Sequence, residues 1–226
     1  MKKLLLFDID GTLVDTGGTG FAALQKSLLD GFGIEDDLAH ISLAGATDTN
    51  LCREILAHHQ IEPTAANIAH YLDGYLHHLQ KLLPEKTGRL LPGILELLTE
   101  IKKRPELVVA LLTGNLVRGA EIKLAHFGIW HFFEFGAFAD DHHIRNELGP
   151  FARARALEKH GVEFPPEGIY VVGDTPKDIA CGRAIGAKTV AVATGEYSTA
   201  ELAEFQPDFL FESFAETAAA IERLGW

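Results

Sequence analysis

A chain of 226 residues is long enough to bury a sizeable core and suits one domain carrying a modest insertion. Its formal charge of −12 leaves no basic stripe for a nucleic-acid backbone, although a bound cation would invert the local field for a small anion. Cys52 and Cys181 form no CxxC or CxH pattern, the apolar run 4–7 is too short for a signal peptide, and no stretch suits a bilayer, so a cytoplasmic protein is expected.

The run 4–8 opens the chain as a buried strand ending in Asp8. The region from 16 to 86 then breaks the β rhythm and reads as amphipathic helices over 21–29, 50–59 and 65–82. A Pro/Gly turn at 83–88 closes it, and Leu91-Pro92-Gly93 leads into a helix over 94–103. Thereafter apolar runs alternate with helical patterns. Strands are predicted at 107–113, 133–139, 169–174, 189–194 and, weakly, 209–211. Helices are predicted at 116–126, 151–160, 176–185 and 215–223. The alternation predicts βαβ units and a parallel sheet, with 1–15 and 87–226 forming an α/β core and 16–86 a helical insert.

Ligands of an open parallel sheet bind outside the carboxyl ends of its strands. Those ends carry Asp8 and Asp10, then Thr113, then the segment from Asp140 to Arg145, then Asp174 and Asp178. Carboxylates gathered at one rim repel each other unless a cation screens them, and an all-oxygen donor set suits Mg²⁺. A lone Asp-x-Asp is an ordinary solvated loop; the second acidic turn at another strand end gives the pair its meaning.

Asp8-Ile9-Asp10-Gly11-Thr12-Leu13-Val14-Asp15-Thr16 resembles the first signature of the haloacid dehalogenase superfamily. Leu111-Leu112-Thr113-Gly114-Asn115 resembles its second and Gly173-Asp174-Thr175-Pro176-Lys177-Asp178 its fourth. Order and spacing agree along essentially the whole chain. The resemblance implies a Rossmann-like, three-layer α/β/α core with a helical C1-type cap inserted after the first strand, as in phosphoglycolate-phosphatase-like members.

It also implies a phosphatase mechanism. Asp8 would be the nucleophile that becomes an aspartyl-phosphate, and Asp10 the acid and then the base. Mg²⁺ would be held by Asp8, the backbone carbonyl of Asp10 and Asp174, with Asp178 as ligand or support. Thr113, Gly114 and Asn115 would bind the phosphoryl group. An acid at position 10 separates this chain from dehalogenases, whose motif resembles Asp-x-Tyr or Asp-x-Phe, and from phosphonatases, whose motif resembles Asp-x-Ala.

The third signature departs from the family form. A Lys-Pro pair is usual about six residues before the aromatic that opens a helix, and here that place holds Arg145-Asn146 ahead of Phe151. Arg145 can supply the charge and a bidentate grip on phosphate, with Lys177 and Lys123 as other cations within the chain. The bland alternative is a surface arginine paired with Asp140, Asp141 or Glu147.

Lesser signals have simpler readings. Adjacent histidines at 58–59, 77–78 and 142–143 point to different helix faces and do not chelate easily, though His142 or His143 stands near the rim. Thr16-Gly17-Gly18-Thr19-Gly20 lacks the end of a P-loop and reads as a hinge between insert and core. Gly45-Ala46-Thr47-Asp48 combines a loop over the substrate with a helix N-cap at Thr47 or Asp48, and Arg53 is the nearest cation of the insert.

The expected partner is a small phosphorylated metabolite, with no nucleic acid or membrane and with monomer or homodimer left open. Two rivals remain. A sugar-phosphate phosphomutase would use the same Asp8 and Asp10. A phosphoacceptor signalling module of the receiver type would need neither a cap nor an acid at position 10, and is usually one domain of about 120 residues, within the ordinary single-domain range.

Overall fold

The computed structural model describes residues 2–226. Strand β1 (Lys3–Phe7) lies at the centre of a six-stranded sheet with β4 (Leu107–Leu112), β5 (Gly136–Ala137), β6 (Ile169–Gly173), β7 (Lys188–Val192) and β8 (Phe209–Phe211). The order is β5-β4-β1-β6-β7-β8, and every pairing is parallel.

The continuous apolar runs follow from burial on both faces. Leu5 and Phe7 point into one core, shared with α4 (Ile94–Lys102), α5 (Val117–His126) and α9 (Thr217–Leu224). Leu4 and Leu6 point into the other, under α6 (Leu148–His160) and α7 (Pro176–Ala184). Side chains alternate across a strand, so a run buried on both sides has no polar position to spare. The α/β/α layering expected from the sequence is therefore present, completed by α8 (Thr199–Glu204) near the β8 edge.

The helices after the first strand are α1 (Thr19–Phe32), α2 (Asp48–His58) and α3 (Ala65–Leu82). Their shared core includes Leu28, Ile55, Tyr71, Tyr75 and Leu79, and it extends to Leu116 and Ala139 from the strand-end loops. The insert is joined to the sheet by a short antiparallel ribbon of β2 (Val14–Asp15) and β3 (Arg89–Leu90). Two residues a side leave no periodicity for a sequence pattern to catch.

Several predicted boundaries move; the first helix of the insert, expected over 21–29, runs over Thr19–Phe32. The strand expected over 133–139 shrinks to Gly136–Ala137, because Phe132 and Phe133 still bond into a preceding turn and Phe138 N–H donates to Asp141 Oδ2. The helix expected from 151 begins three residues earlier, at Leu148. Pro150 is tolerated there because first-turn N–H groups lack helical partners anyway.

Candidate active site

Asp8 follows β1 directly, and its own N–H donates to Val172 O at 2.9 Å, so sheet pairing fixes its backbone. The next residues fold into a tight turn in which Gly11 adopts φ 77° and donates to Val14 O at 2.9 Å. A Cβ at Gly11 would collide with the Asp174 carboxylate, so glycine is required both for the turn and for that close approach. Thr12 Oγ1 then donates to Asp174 Oδ1 at 2.9 Å.

Asp174 follows β6, and Thr175 caps the N-terminus of α7. Thr175 Oγ1 accepts from Asp178 N–H at 3.3 Å, while Asp178 Oδ2 accepts from Thr175 N–H at 3.0 Å and from its hydroxyl at 2.7 Å. This capping box, with Pro176 in the first turn, locks Asp178 and leaves its Oδ1 facing Arg145, which pairs with it.

Arg145 is buried, not a surface residue, and its Nη2 lies 3.0 Å from Asp8 Oδ1. Asp178 and Asp8 together outweigh the burial that would otherwise disfavour its charge. Two of the three acids proposed for a surface pairing are engaged elsewhere: Asp141 takes Arg155 at 2.6 Å, and Asp140 accepts from Val117 N–H at 2.7 Å. Arg145 Nε is buried and has no partner among the described residues, while other atoms of the side chain line the cavity.

Asp8, Asp174 and Asp178 each offer an oxygen within 4.8 Å of the others. Burial, with Asp178 and Asp10 adding repulsion, raises the Asp8 carboxyl to about 6 despite opposing pulls from Arg145 and Thr113. Burial, then Asp178 and Asp8, pushes Asp174 far above the usual carboxylate range. Three desolvated carboxyls with one arginine among them carry a net negative charge that a hard divalent cation would relieve, and the donors fit that class.

Asp10 is placed differently. Its side chain is 43% exposed against 7% for Asp8, and it turns towards α5. Lys123 Nζ sits 2.6 Å from Asp10 Oδ2 and 2.6 Å from Asn115 Oδ1. Asn115 Nδ2 donates to the same Asp10 oxygen at 2.9 Å and to Thr113 Oγ1 at 3.0 Å. The Asp10 carboxylate is thus outside the carboxylate triad, leaving only its backbone for the expected metal set. Lys123, one of the spare cations in the sequence, is almost fully buried beside Asp10; Lys177 is exposed and makes no ion pair among the described residues. Ala120, Lys123 and Leu124 share a buried helical face, and that spacing was the available signal.

The insert closes over this rim. Thr47 caps α2 by accepting from Asn50 N–H at 3.2 Å, and its hydroxyl donates to His143 O at 2.6 Å. Asp48 N–H donates to Gly114 O at 2.7 Å, and Asp48 Oδ2 accepts from Leu116 N–H at 2.8 Å. A Cβ on Gly114 would strike Ala46 O, so glycine permits the approach. Burial raises the Asp48 carboxyl to about 6, although Lys123 and the Leu116 N–H oppose the shift. Arg53 is exposed on α2, and neither His142 nor His143 lines the cavity.

The cavity between rim and insert, partly open to solvent, has a volume of about 460 Å³. Asp8, Asp10, Asp174, Lys123 and Arg145 form its polar wall, while Phe21, Leu24, Leu43, Leu51 and Tyr75 face them from the insert. Such a space suits a small molecule with one anionic end. No helix among the described residues is long and apolar enough to cross a membrane.

The arrangement is that of a known class. Residues 5–192 match the model of the haloacid dehalogenase-like hydrolase family, and the chain belongs to that family. It is 27% identical over 226 residues to a probable phosphatase, IndB, of Dickeya dadantii, covering 99% of this chain and 95% of that one. It is also 27% identical over 231 residues to a phosphoglycolate phosphatase of Agrobacterium fabrum, covering 99% and 94%. A predicted phosphoglycolate phosphatase from Haemophilus somnus shares the fold, with a TM-score of 0.72, 22% identity and 97% of each chain covered.

Proposed function

We propose that this phosphatase of the haloacid dehalogenase-like family hydrolyses small phosphate monoesters through an aspartyl-phosphate on Asp8, with Mg²⁺ as its metal. The observation that carries the reading is the contrast between two neighbouring acids. Asp8 is buried against Arg145 and the other carboxylates, whereas Asp10 is separate, partly exposed and held by Lys123. Two carboxyls in unlike environments take unlike roles. The phosphatase names of two relatives that align over nearly the whole chain agree with it.

In this reading Asp8 attacks phosphorus, the P–O bond to the leaving alcohol breaks, and Asp10 delivers a proton to that oxygen. Asp10 then takes a proton from water as it attacks the aspartyl-phosphate, returning Asp8 as carboxylate and releasing inorganic phosphate. Arg145 steadies Asp8 before attack and presents its charge on the cavity wall to the phosphoryl oxygens. Thr113, with the backbone near Gly114 and Asn115, donates to the same group. Lys123 and Asn115 are positioning residues that fix the Asp10 carboxylate.

Asp8, the carbonyl of Asp10 and Asp174 would hold Mg²⁺, with Asp178 in support because Arg145 and Thr175 already occupy its oxygens. The ion supplies charge neutralisation between the acids and the phosphate. Residues 16–86 act as a cap that limits the cavity to small esters, and the partner is a small phosphorylated metabolite.

A Mg²⁺-dependent screen of phosphate esters, with Asp8→Asn as control, tests the proposal. Release of inorganic phosphate from a hexose 1-phosphate supports hydrolysis. An isomeric sugar phosphate as product would make the chain a mutase, and full turnover by Asp8→Asn would overturn the mechanism.

A further inference from the structure

The insert carries a second group of ligating side chains, away from the cavity wall. Asp36 and His40 lie in the segment 33–47 between α1 and α2, while His58 ends α2 and His59 follows it. Adjacent histidines on a helix diverge, but His59 is already past the last helical residue, and the two rings stand 5.0 Å apart. The sequence expectation that such pairs do not chelate easily is corrected at this one place among the described residues, where both rings offer a nitrogen close to the Asp36 carboxylate.

His59 Nε2 lies 2.7 Å from Asp36 Oδ2, and His40 Nδ1 lies 3.9 Å from the same oxygen. The rings of His40 and His58 stack with centroids 3.7 Å apart. Ligand atoms of Asp36, His58 and His59 all fall within 4.8 Å of one another. Leu38 N–H donates to Asp36 Oδ1 at 2.8 Å, which orients the carboxylate and leaves Oδ2 towards the imidazoles.

We propose that Asp36, His58 and His59, with water in the fourth position, form a site for an imidazole-preferring divalent transition metal such as Zn²⁺. Nitrogen donors with one carboxylate select Zn²⁺ over Mg²⁺, the reverse of the all-oxygen cluster at the strand ends. Metal–ligand bonds of about 2.0–2.2 Å in a tetrahedron put donor atoms roughly 3.4 Å apart. The 2.7 Å contact between His59 and Asp36 would open by less than about 1 Å, a small shift for two partly buried side chains. An ion there ties the segment 33–47 to the far end of α2. The same segment carries Leu43 to Ala46 into the cavity wall, so occupancy stiffens the roof over the substrate.

The test is a titration of the full-length protein with Zn²⁺, and with Co²⁺ as a spectroscopic probe, in millimolar Mg²⁺ to saturate the carboxylate cluster. The expected result is one equivalent bound, with the intense visible bands of four-coordinate Co²⁺ and a rise in Tm on adding Zn²⁺. Asp36→Asn, which can keep the Leu38 hydrogen bond, and His59→Ala should each weaken binding at least about tenfold and abolish the Tm rise. Asp174→Asn should leave both signals intact. Unchanged Co²⁺ bands and affinity in Asp36→Asn, or loss of the bands only in Asp174→Asn, would overturn the site.

Discussion

The rim at the strand ends and the insert that covers it meet at one cavity but are held by different means. On the rim, each acid is fixed by backbone that has no alternative: Asp8 by sheet pairing, Asp174 by the space that Gly11 leaves, Asp178 by the capping box of α7. The insert presents apolar side chains and reaches the core through the start of α2, where Thr47 and Asp48 donate to His143 O and Gly114 O and Asp48 accepts from Leu116 N–H. Rigid elements position chemistry, while a few polar contacts at a helix start can be made and broken as a cap moves. The difference teaches where to look for rate and where to look for selectivity.

Removing Asp8 should break the rim's half of this contrast most completely. Asp8→Asn is expected to lower phosphate release by at least about a thousandfold, on the scale of other nucleophile deletions. Arg145→Met leaves Asp8 and Asp178 facing each other in a buried place. Urea unfolding without metal should show a loss of about 3–5 kcal/mol, the usual cost of an uncompensated buried charge. Arg145→Lys should recover part of it; equal losses in the two variants would mean that charge is not what Arg145 contributes.

Lys123 sharpens the comparison, because it joins the rim from a helix and not from a strand end. Lys123→Met should lower turnover of alkyl phosphates about a hundredfold, the scale of general acid–base help. Acetyl phosphate, whose leaving group needs no proton, should lose far less. A uniform loss for both substrates would assign Lys123 a purely structural part.

The smallest effect belongs to the insert. The folded Asp48 carboxyl is raised from an ordinary 3.8 to about 6, so its contribution to stability is present below pH 3.8 and lost as pH rises through 6. Asp48→Asn removes that loss and can still accept from Leu116 N–H. The variant should gain on the native chain as pH climbs between these values, by roughly 2–3 kcal/mol at neutral pH. Parallel stability curves would show that Asp48 does not titrate in this window.

Much of the rim was legible because strands buried on both faces leave continuous apolar runs, and the residue at the end of each run lies at the ligand edge. Asp8, Thr113 and Asp174 follow directly from that rule. Arg145 was legible only through its spacing before Phe151, since nothing local marks a short turn as buried. Lys123 was weaker still: a lysine in mid-helix reads as solvated unless the Ala120 and Leu124 beside it are counted as one face. The ribbon of β2 and β3 carries no period, and the convergence of Asp36 with His58 and His59 depends on a loop whose path no pattern specifies.

The covalent step proposed at Asp8 is open to trapping. Asp10→Asn should still accept a phosphoryl group from acetyl phosphate in Mg²⁺ but fail to activate water for its release. Acid quench followed by mass analysis of the peptide holding Asp8 is predicted to show one phosphoryl increment, absent when Asp8→Asn is added to the variant. An unmodified Asp8 peptide from protein that is consuming acetyl phosphate would contradict the account.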